Sequence, residues 1–439
     1  MIGRSMQKTT TSEFVKFPES FLWGSAVSGH QIEGGNRHSD WWHWELATTL
    51  QPHSGIAVDH WNRFEEDYDL LEKMGHHVFR VGIEWSRIEP KKGIFDPKAV
   101  AQYRKMFESL RRRGIQICLT LHHWVLPKWV TQQNDWLNSD TVEQFLRYVE
   151  FVLNELGEFP DLWITLNEPM VALLAGNISG DFPPQRHSII AFRKAARNML
   201  RAHAGAYALI HRHDASAQVG LAMNYPYFNT WGSSGLPGFY ERCSKAVAKK
   251  LLFQAWDASI HSGHLHWIFG RGEIEGLRDS IDFCGINYYF RLTFRFNHRC
   301  WRTGFLDLNT VPPGVKTSDL GWQIWPEGLG EIIDDVWNQY KKPIYITENG
   351  LADKTDHQRE DFITDHLIQI HHAVDKGIPV KGYFHWSFID NFEWKEGFEP
   401  RFGLVAVDYN DPSLKRTLRP SALFYSQIIK NHGFLRTRI

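Results

Sequence analysis

The chain has 439 residues, 43% hydrophobic and 23% charged, proportions that exclude a mainly disordered protein and fit a soluble fold with a sizeable core. Lys and Arg number 49 against 50 Asp and Glu, and the net charge of -1 argues against nucleic acid as a partner and against a basic stripe for a membrane surface. Nineteen Trp, 29 Phe and 14 Tyr stand out, since flat apolar rings with a polar edge suit pockets for amphipathic ligands such as sugars.

The N-terminal stretch MIGRSMQKTTTSEFVKF has no apolar segment of signal-peptide length, and no run of about 18 apolar residues follows, so a cytoplasmic protein without a membrane span is expected. Eight β-rich runs then recur: 21–31, 77–85, 115–124, 162–169, 217–225, 281–289, 343–350 and 380–388. Helical spacing fills the gaps between them. Trp61, Phe64, Tyr68 and Leu71 lead to Gly75; Val100, Tyr103, Phe107 and Leu110 to Gly114; Val142, Phe145, Val149, Val152 and Leu156 to Gly157. Each of these glycines is expected to end its helix with a left-handed φ, and Asp140 with Glu143 has the spacing of an N-cap and third helical position. Four cysteines are too few for a disulfide framework, and Cys118 and Cys284, inside apolar runs, read as small core residues.

Continuous apolar strands alternating with helices require a parallel sheet. Eight such units predict an α/β fold, a single (β/α)8 TIM barrel over residues 1–439, with a polar N-terminal extension at 1–16 and elaborated loops after the fourth, fifth and sixth strands. The rival, an open doubly wound sheet, would want a Gly-rich phosphate turn after its first strand, and none is present.

Functional groups of such a barrel sit where strands end and loops begin. Those ends carry Gln31, Arg80 with Glu84, His123 with Trp124, Asn167 with Glu168, Asn224, Asn287 with Tyr289, Glu348, and Trp386, which are expected to converge on one pocket. Two carboxyl groups facing each other, Glu168 and Glu348, are equipment for cleaving a glycosidic bond: one protonates the leaving oxygen and the other meets the developing oxocarbenium ion. The bland alternative is a pair of structural ion pairs with barrel arginines such as Arg80. The H-x-x-H-x-H spacing of His261, His264 and His266 matches no justified metal pattern, so neither metal nor cofactor is expected.

The segments FPESFLWGSA, QIEGG, FRVGIEWSRIEP, LHHWVLP, TLNEP, DFCGINYY, GWQIWPEGL, YITENG and GYFHWSFIDNFEWKEGFEPRFGL, in that order, resemble the signatures of glycoside hydrolase family 1, the retaining β-glycosidases. The resemblance implies that Glu348 is the nucleophile and Glu168 the acid/base. Glu348 is then expected beside Arg80 and Tyr289, while Glu168, close to its negative charge, should have a raised pKa. It further implies sugar contacts from Gln31, His123, Trp124, Asn167, Glu393 and Trp394, with Asn167 meeting the 2-hydroxyl and Trp386 flooring the ring. Trp322 matches the aglycone platform, with Asn224 beside it. Val125 stands where the family often has Asp, His122 where it often has Tyr, and Glu84 where Ser is commoner. The expected activity is exo-hydrolysis of terminal β-linked glucosyl, galactosyl or fucosyl groups from small glycosides. A 6-phospho-β-glycosidase and a non-catalytic sugar-binding homologue remain alternatives; against the first, the charge of Glu393 should repel a 6-phosphate.

Overall fold

Every one of the eight apolar runs contains a strand in the computed structural model, which describes residues 11–49, 52–300, 304–308 and 310–438. These are β1 (Leu22–Ala26), β2 (Val78–Gly82), β3 (Gln116–Thr120), β4 (Leu162–Asn167), β5 (Gln218–Asn224), β6 (Phe283–Tyr288), β7 (Ile344–Asn349) and β8 (Val380–Trp386). All pair in parallel with their chain neighbours, and β8 returns to β1, closing the barrel. The connecting helices are α1 (His60–Met74), α2 (Pro97–Arg112), α3 (Asp140–Leu156), α4 (Ile189–His213), α5 (Gly235–Ala248), α6 (Pro326–Tyr340), α7 (Arg359–Asp375) and α8 (Pro420–Asn431). After α5 a π-helical turn, Lys249–Phe253, leads into a further helix, Gln254–Ser262.

Side-chain alternation along the strands separates two apolar cores. Val78, Cys118, Leu162, Ile164, Ala222, Phe283 and Phe384 cluster inside the barrel, whereas Phe79, Ile117, Leu119, Trp163, Leu221 and Ile286 join the larger cluster under the helices. At 25 cal/mol per Å² of apolar surface, or roughly 1.5–3 kcal/mol per fully buried large side chain, this double core is the main favourable term holding the site rigid.

Two local expectations need correction. Gly75 and Gly114 do have left-handed φ, +79° and +68°, but Gly157 has φ -64°. It is required by close approach instead: a Cβ there would lie 2.3 Å from the Leu153 carbonyl oxygen. Asp140 is not the N-cap of α3 either; Ser139 is, and Asp140 and Glu143 lie in the first turn, where their charges favour the positive end of the helix dipole.

Of the N-terminal stretch, Thr11–Lys16 forms a strand antiparallel to Gly433–Arg438, and residues 1–10 lie outside the described residues. The loops after β5 and β6 build a three-stranded sheet from Tyr227–Thr230, Arg291–Phe296 and Leu306–Asp307. The loops after β1 and β8 are elaborate too, the former with short helices Gly29–Ile32 and Asp40–Ala47. Cys118 and Cys284 are buried, as their apolar surroundings in the sequence imply. Among the described residues no helix is long and apolar enough to cross a membrane, and no group of three or more His, Cys, Asp or Glu is arranged to hold a metal.

Candidate active site

The two carboxyls stand at the ends of strands that break register just before them. Pairing of β4 with β5 shifts between Ile164 and Asn167, and pairing of β7 with β6 shifts between Ile346 and Glu348. From Ile164, strict alternation would turn Leu166 inward, yet Leu166 packs in the outer cluster; from Tyr345 it would turn Glu348 outward. The irregularities re-aim both acids toward the barrel mouth, the usual effect of a bulge beside a site. Glu168 itself holds φ +43° as N-cap of Pro169–Leu174, with Pro169 starting that turn. Trp124 and Trp394 on the same cavity wall have φ +69° and +51°, so three non-glycine residues with uncommon backbone conformation cluster here, each costing about 1–3 kcal/mol. Gly350, just beyond Glu348, is obligatory for close approach, because a Cβ would lie 1.6 Å from the Trp386 carbonyl oxygen.

Beneath the cavity one polar network links the carboxyls. Arg80 Nη1 donates to Glu348 Oε1 and, at 3.1 Å, to the Thr347 carbonyl, while Nη2 donates to Asn167 Oδ1 at 2.6 Å. Asn287 Nδ2 donates to Asn167 Oδ1 (3.1 Å) and to Glu168 Oε1 (2.8 Å), and Thr347 Oγ1 donates to Asn287 Oδ1 at 2.7 Å. Tyr289 donates its phenol proton to Glu348 Oε2 at 2.5 Å, and Asn224 Nδ2 reaches Glu168 Oε1 at 3.3 Å. The two acids thus differ sharply: Glu348 has a guanidinium and a phenol, Glu168 only neutral amides.

A cavity of about 260 Å³ opens above them, lined by Gln31, His123, Trp124, Glu168, Asn224, Tyr289, Trp322, Glu348, Trp386, Glu393 and Trp394 among others. Arg80, Asn167 and Asn287 lie beneath it. Asn167 was expected to contact a sugar, but its Oδ1 accepts from Arg80 and Asn287 and its Nδ2 pairs with His123 Nε2 at 3.0 Å, so it acts first on its neighbours. Asn224 lines the same cavity as Trp322 and also contacts the acid. Glu84 does not reach the cavity: it accepts from His30 N and Asn36 Nδ2 and braces the loop after β1. His122 and Val125 sit behind the wall, His122 against Trp136 and Val125 in a cluster with Trp41 and Trp394. The sequence reading missed an apolar outer wall of Val171, Phe182, Phe290, Leu320 and Phe402, together with Lys395 and Glu396. Phe402, Lys395 and Glu396 lie within the matched segment after β8, so proximity to Glu393 was an available signal; Phe182 offered none.

Gln31 Nε2 donates to the Phe392 carbonyl (2.9 Å), Asn391 Oδ1 (3.0 Å) and Glu393 Oε2 (3.3 Å), holding the Glu393 loop against the cavity. Trp322 packs on Phe290, Tyr289 and Phe402 with ring centroids 4.8, 5.8 and 6.0 Å apart. His123 Nδ1 and Trp124 Nε1 are buried without a partner among the described residues, two polar atoms whose desolvation a ligand hydroxyl would offset.

Burial first, and the negative charge of Glu348 second, push Glu168 up to about 8. The raise agrees with the expectation from Glu348, and burial, which the sequence alone did not give, is the larger cause. Glu393 is likewise raised to about 8, by burial and then by Glu348 and Glu168. Near pH 7 it is therefore held toward the neutral form, which weakens the simple charge argument against a 6-phosphate. His123 is pushed well below the usual imidazole range by burial and by Arg80, leaving a neutral ring that can both donate and accept.

Residues 14–434 match the family model described as glycosyl hydrolase family 1. Curated relatives include beta-glucosidase A of Thermotoga maritima, 31% identical over 95% of this chain and 98% of that protein. A beta-galactosidase of Sulfolobus acidocaldarius is 32% identical over 95% and 96%. Among solved structures, a beta-glycosidase from Pyrococcus horikoshii aligns with TM-score 0.88 at 36% identity over 96% of each chain. Beta-glucosidase from Thermotoga maritima in complex with deoxynojirimycin aligns with TM-score 0.86 at 30% identity, over 95% of this chain and 99% of that one.

Proposed function

The chain belongs to glycosyl hydrolase family 1 and is a glycoside hydrolase of β-glycosidase type, and from that premise we propose a retaining, exo-acting mechanism in which Glu348 is the nucleophile and Glu168 the acid/base. The observation that carries this division is the asymmetry of their surroundings: Arg80 and Tyr289 on Glu348, only Asn287 and Asn224 on Glu168. Glu348 attacks the anomeric carbon while Glu168 gives its proton to the departing oxygen. Forming the glycosyl ester removes the negative charge that raises Glu168, whose pKa then falls so that it can take a proton from the incoming water. One residue serves both half-reactions because the other's charge is switched off between them.

The polar inner wall, with Gln31, His123, Trp124 and Glu393, suits the hydroxyls of one terminal glucosyl, galactosyl or fucosyl group, and Trp386 lines the same cavity. The apolar outer wall around Trp322 suits a small aryl, alkyl or sugar aglycone. A phosphate at O6 remains disfavoured: Arg80 is committed to Glu348 and Asn167, and Lys395, the lining cation, pairs with Asp181 at 2.9 Å. Retention of both acids speaks against a non-catalytic sugar binder. We read the chain as one catalytic unit that uses its own side chains, without metal or cofactor, and place it in the cytoplasm, in keeping with its content of only four cysteines.

The test is to incubate the protein with a 2-deoxy-2-fluoro-β-glucoside bearing a dinitrophenolate leaving group and map the adduct by peptide mass spectrometry. An ester on Glu348 is expected; stable inactivation with the label on another residue would overturn the assignment.

A further inference from the structure

Helix α5 is turned inside out. At 100° per residue Leu236, Phe239, Tyr240, Cys243, Ala246 and Val247 fall in one arc, and all are exposed, Leu236 at 83%, Phe239 at 60%, Val247 at 55% and Tyr240 at 37%. The face against the protein buries Gly238 and Glu241 instead. Glu241, the sole acidic residue of α5, is tied inward by Ser233 Oγ (2.7 Å), Phe296 N (2.9 Å) and the backbone of Gly232 and Ser233 (3.2 Å each). A surface helix normally shows the reverse arrangement, and contiguous exposed apolar surface marks something that covers it.

Charge identifies the cover. Arg242 and Lys250 lie exposed beside the arc and Lys245 half-buried below it, none in an ion pair among the described residues; Lys249 is held by Asp335. A second copy of the chain would bring the same cationic flank against itself, an unfavourable self-complementary contact. Anionic lipid headgroups match the cations, and the boundary beneath them accepts Leu, Phe and Val side chains. The net charge of the whole chain concealed this, because it averages over all faces.

We propose that α5 is an interfacial helix that docks the protein peripherally on anionic bilayers. It packs on the strands Tyr227–Thr230 and Arg291–Phe296, which leave the barrel directly after the cavity residues Asn224 and Phe290, so docking sets the rim of the active site near the lipid surface.

The full chain is sedimented with vesicles of phosphatidylcholine containing one quarter phosphatidylglycerol, and with pure phosphatidylcholine vesicles. Binding to the anionic vesicles alone is expected, weakening as salt rises. At about 1 kcal/mol per cation near the surface, Arg242→Glu with Lys250→Glu should lower partitioning about 30-fold or more. Leu236→Ser with Phe239→Ser should lower it comparably. All four positions are exposed, so both double variants should keep the wild-type melting temperature. Failure of the wild-type chain to sediment with anionic vesicles, or equal sedimentation of the variants, overturns the proposal. So does a vesicle-independent dimer, seen by light scattering, that Leu236→Ser with Phe239→Ser abolishes, because the arc would then belong to a second copy.

Discussion

Glu168 and Asp257 are two buried carboxyls on opposite sides of the barrel wall, and both are held toward the neutral form. Burial lifts Asp257, on the helix Gln254–Ser262, to about 7; burial and Glu348 lift Glu168 to about 8. Among the described residues neither has a cation of its own. Asp257 accepts from Tyr225 at 3.0 and 3.1 Å and from Tyr340 at 2.9 Å, so phenols occupy both its oxygens. Among the described residues Glu168 keeps only Asn287 and Asn224, faces the active-site cavity, and stands next to the charge of Glu348, which the proposed glycosyl ester would remove. A perturbed pKa alone therefore does not mark a catalytic group. Under the proposed mechanism, what marks it is a perturbing charge whose removal would be part of the reaction.

The largest test of that contrast is the removable charge itself. Glu348→Gly should lower hydrolysis of natural glycosides by on the order of 10⁴–10⁶-fold, as loss of a covalent nucleophile does. Azide or formate should restore part of the rate with inverted product, because a small anion attacks the same carbon from the vacated position. Asp257→Asn should leave kcat/KM within a few-fold of wild type. A rescue product of retained configuration would sink the nucleophile assignment, and an Asp257 variant as damaged as Glu348→Gly would erase the distinction between the two sites.

Next in size is Glu168→Ala, with losses of about 10²–10⁴-fold for alkyl glucosides and little loss in the glycosylation step for dinitrophenyl glucosides, which leave without a proton. The wild-type profile of kcat/KM on alkyl glucosides should fall above about pH 8 as Glu168 loses its proton. Equal losses on both substrate types would remove Glu168 from the acid role. Smaller again is Glu393→Ser. Charged hydrogen bonds contribute about 1.5–3 kcal/mol and neutral ones less, so one to two decades in kcat/KM for glucosides is the expected range. Unchanged glucoside kinetics would mean that the loop after β8 does not reach the sugar.

The eight strands and both acids were legible because each rests on a local pattern: an apolar run, then a short polar motif at its end. The helix stripes were legible for the same reason. What escaped depends on neighbours distant in sequence. The register shifts before Glu168 and Glu348 follow from pairing with β5 and β6, and nothing in TLNEP or YITENG announces them. Gly157 was read as a φ requirement when the nearby Leu153 carbonyl sets it. Asn167 could be placed near the cavity, but not seen to have its oxygen filled by Arg80 and Asn287 and one amide hydrogen meeting His123. Glu393 was read as a charge, which holds only until its burial beside two other acids is known. For α5 the residue types announce an amphipathic helix, while which face turns inward is decided by Glu241 reaching Ser233 and Phe296.

The smallest effect on rate should carry a clear signature in stability. Burial lifts the Asp257 carboxyl from its ordinary value of 3.8 to about 7, so between about pH 4 and 7 the unfolded chain releases a proton that the native chain retains. Native stability supplied by this group is complete below about pH 4, declines as pH rises through that window at up to about 1.4 kcal/mol per unit, and levels off above 7. Asn at 257 has no proton to release, and the Tyr225 and Tyr340 hydroxyls can turn to accept from its amide. From pH 5 to pH 7 the variant should therefore gain on wild type by roughly 2 kcal/mol in urea unfolding, with unchanged turnover. Glu168→Gln should flatten the same curve for the same reason while losing activity on alkyl glucosides. Parallel stability curves for wild type and Asp257→Asn would show that the tyrosines hold Asp257 ionised, and the two sites would then differ in charge state as well as in chemistry.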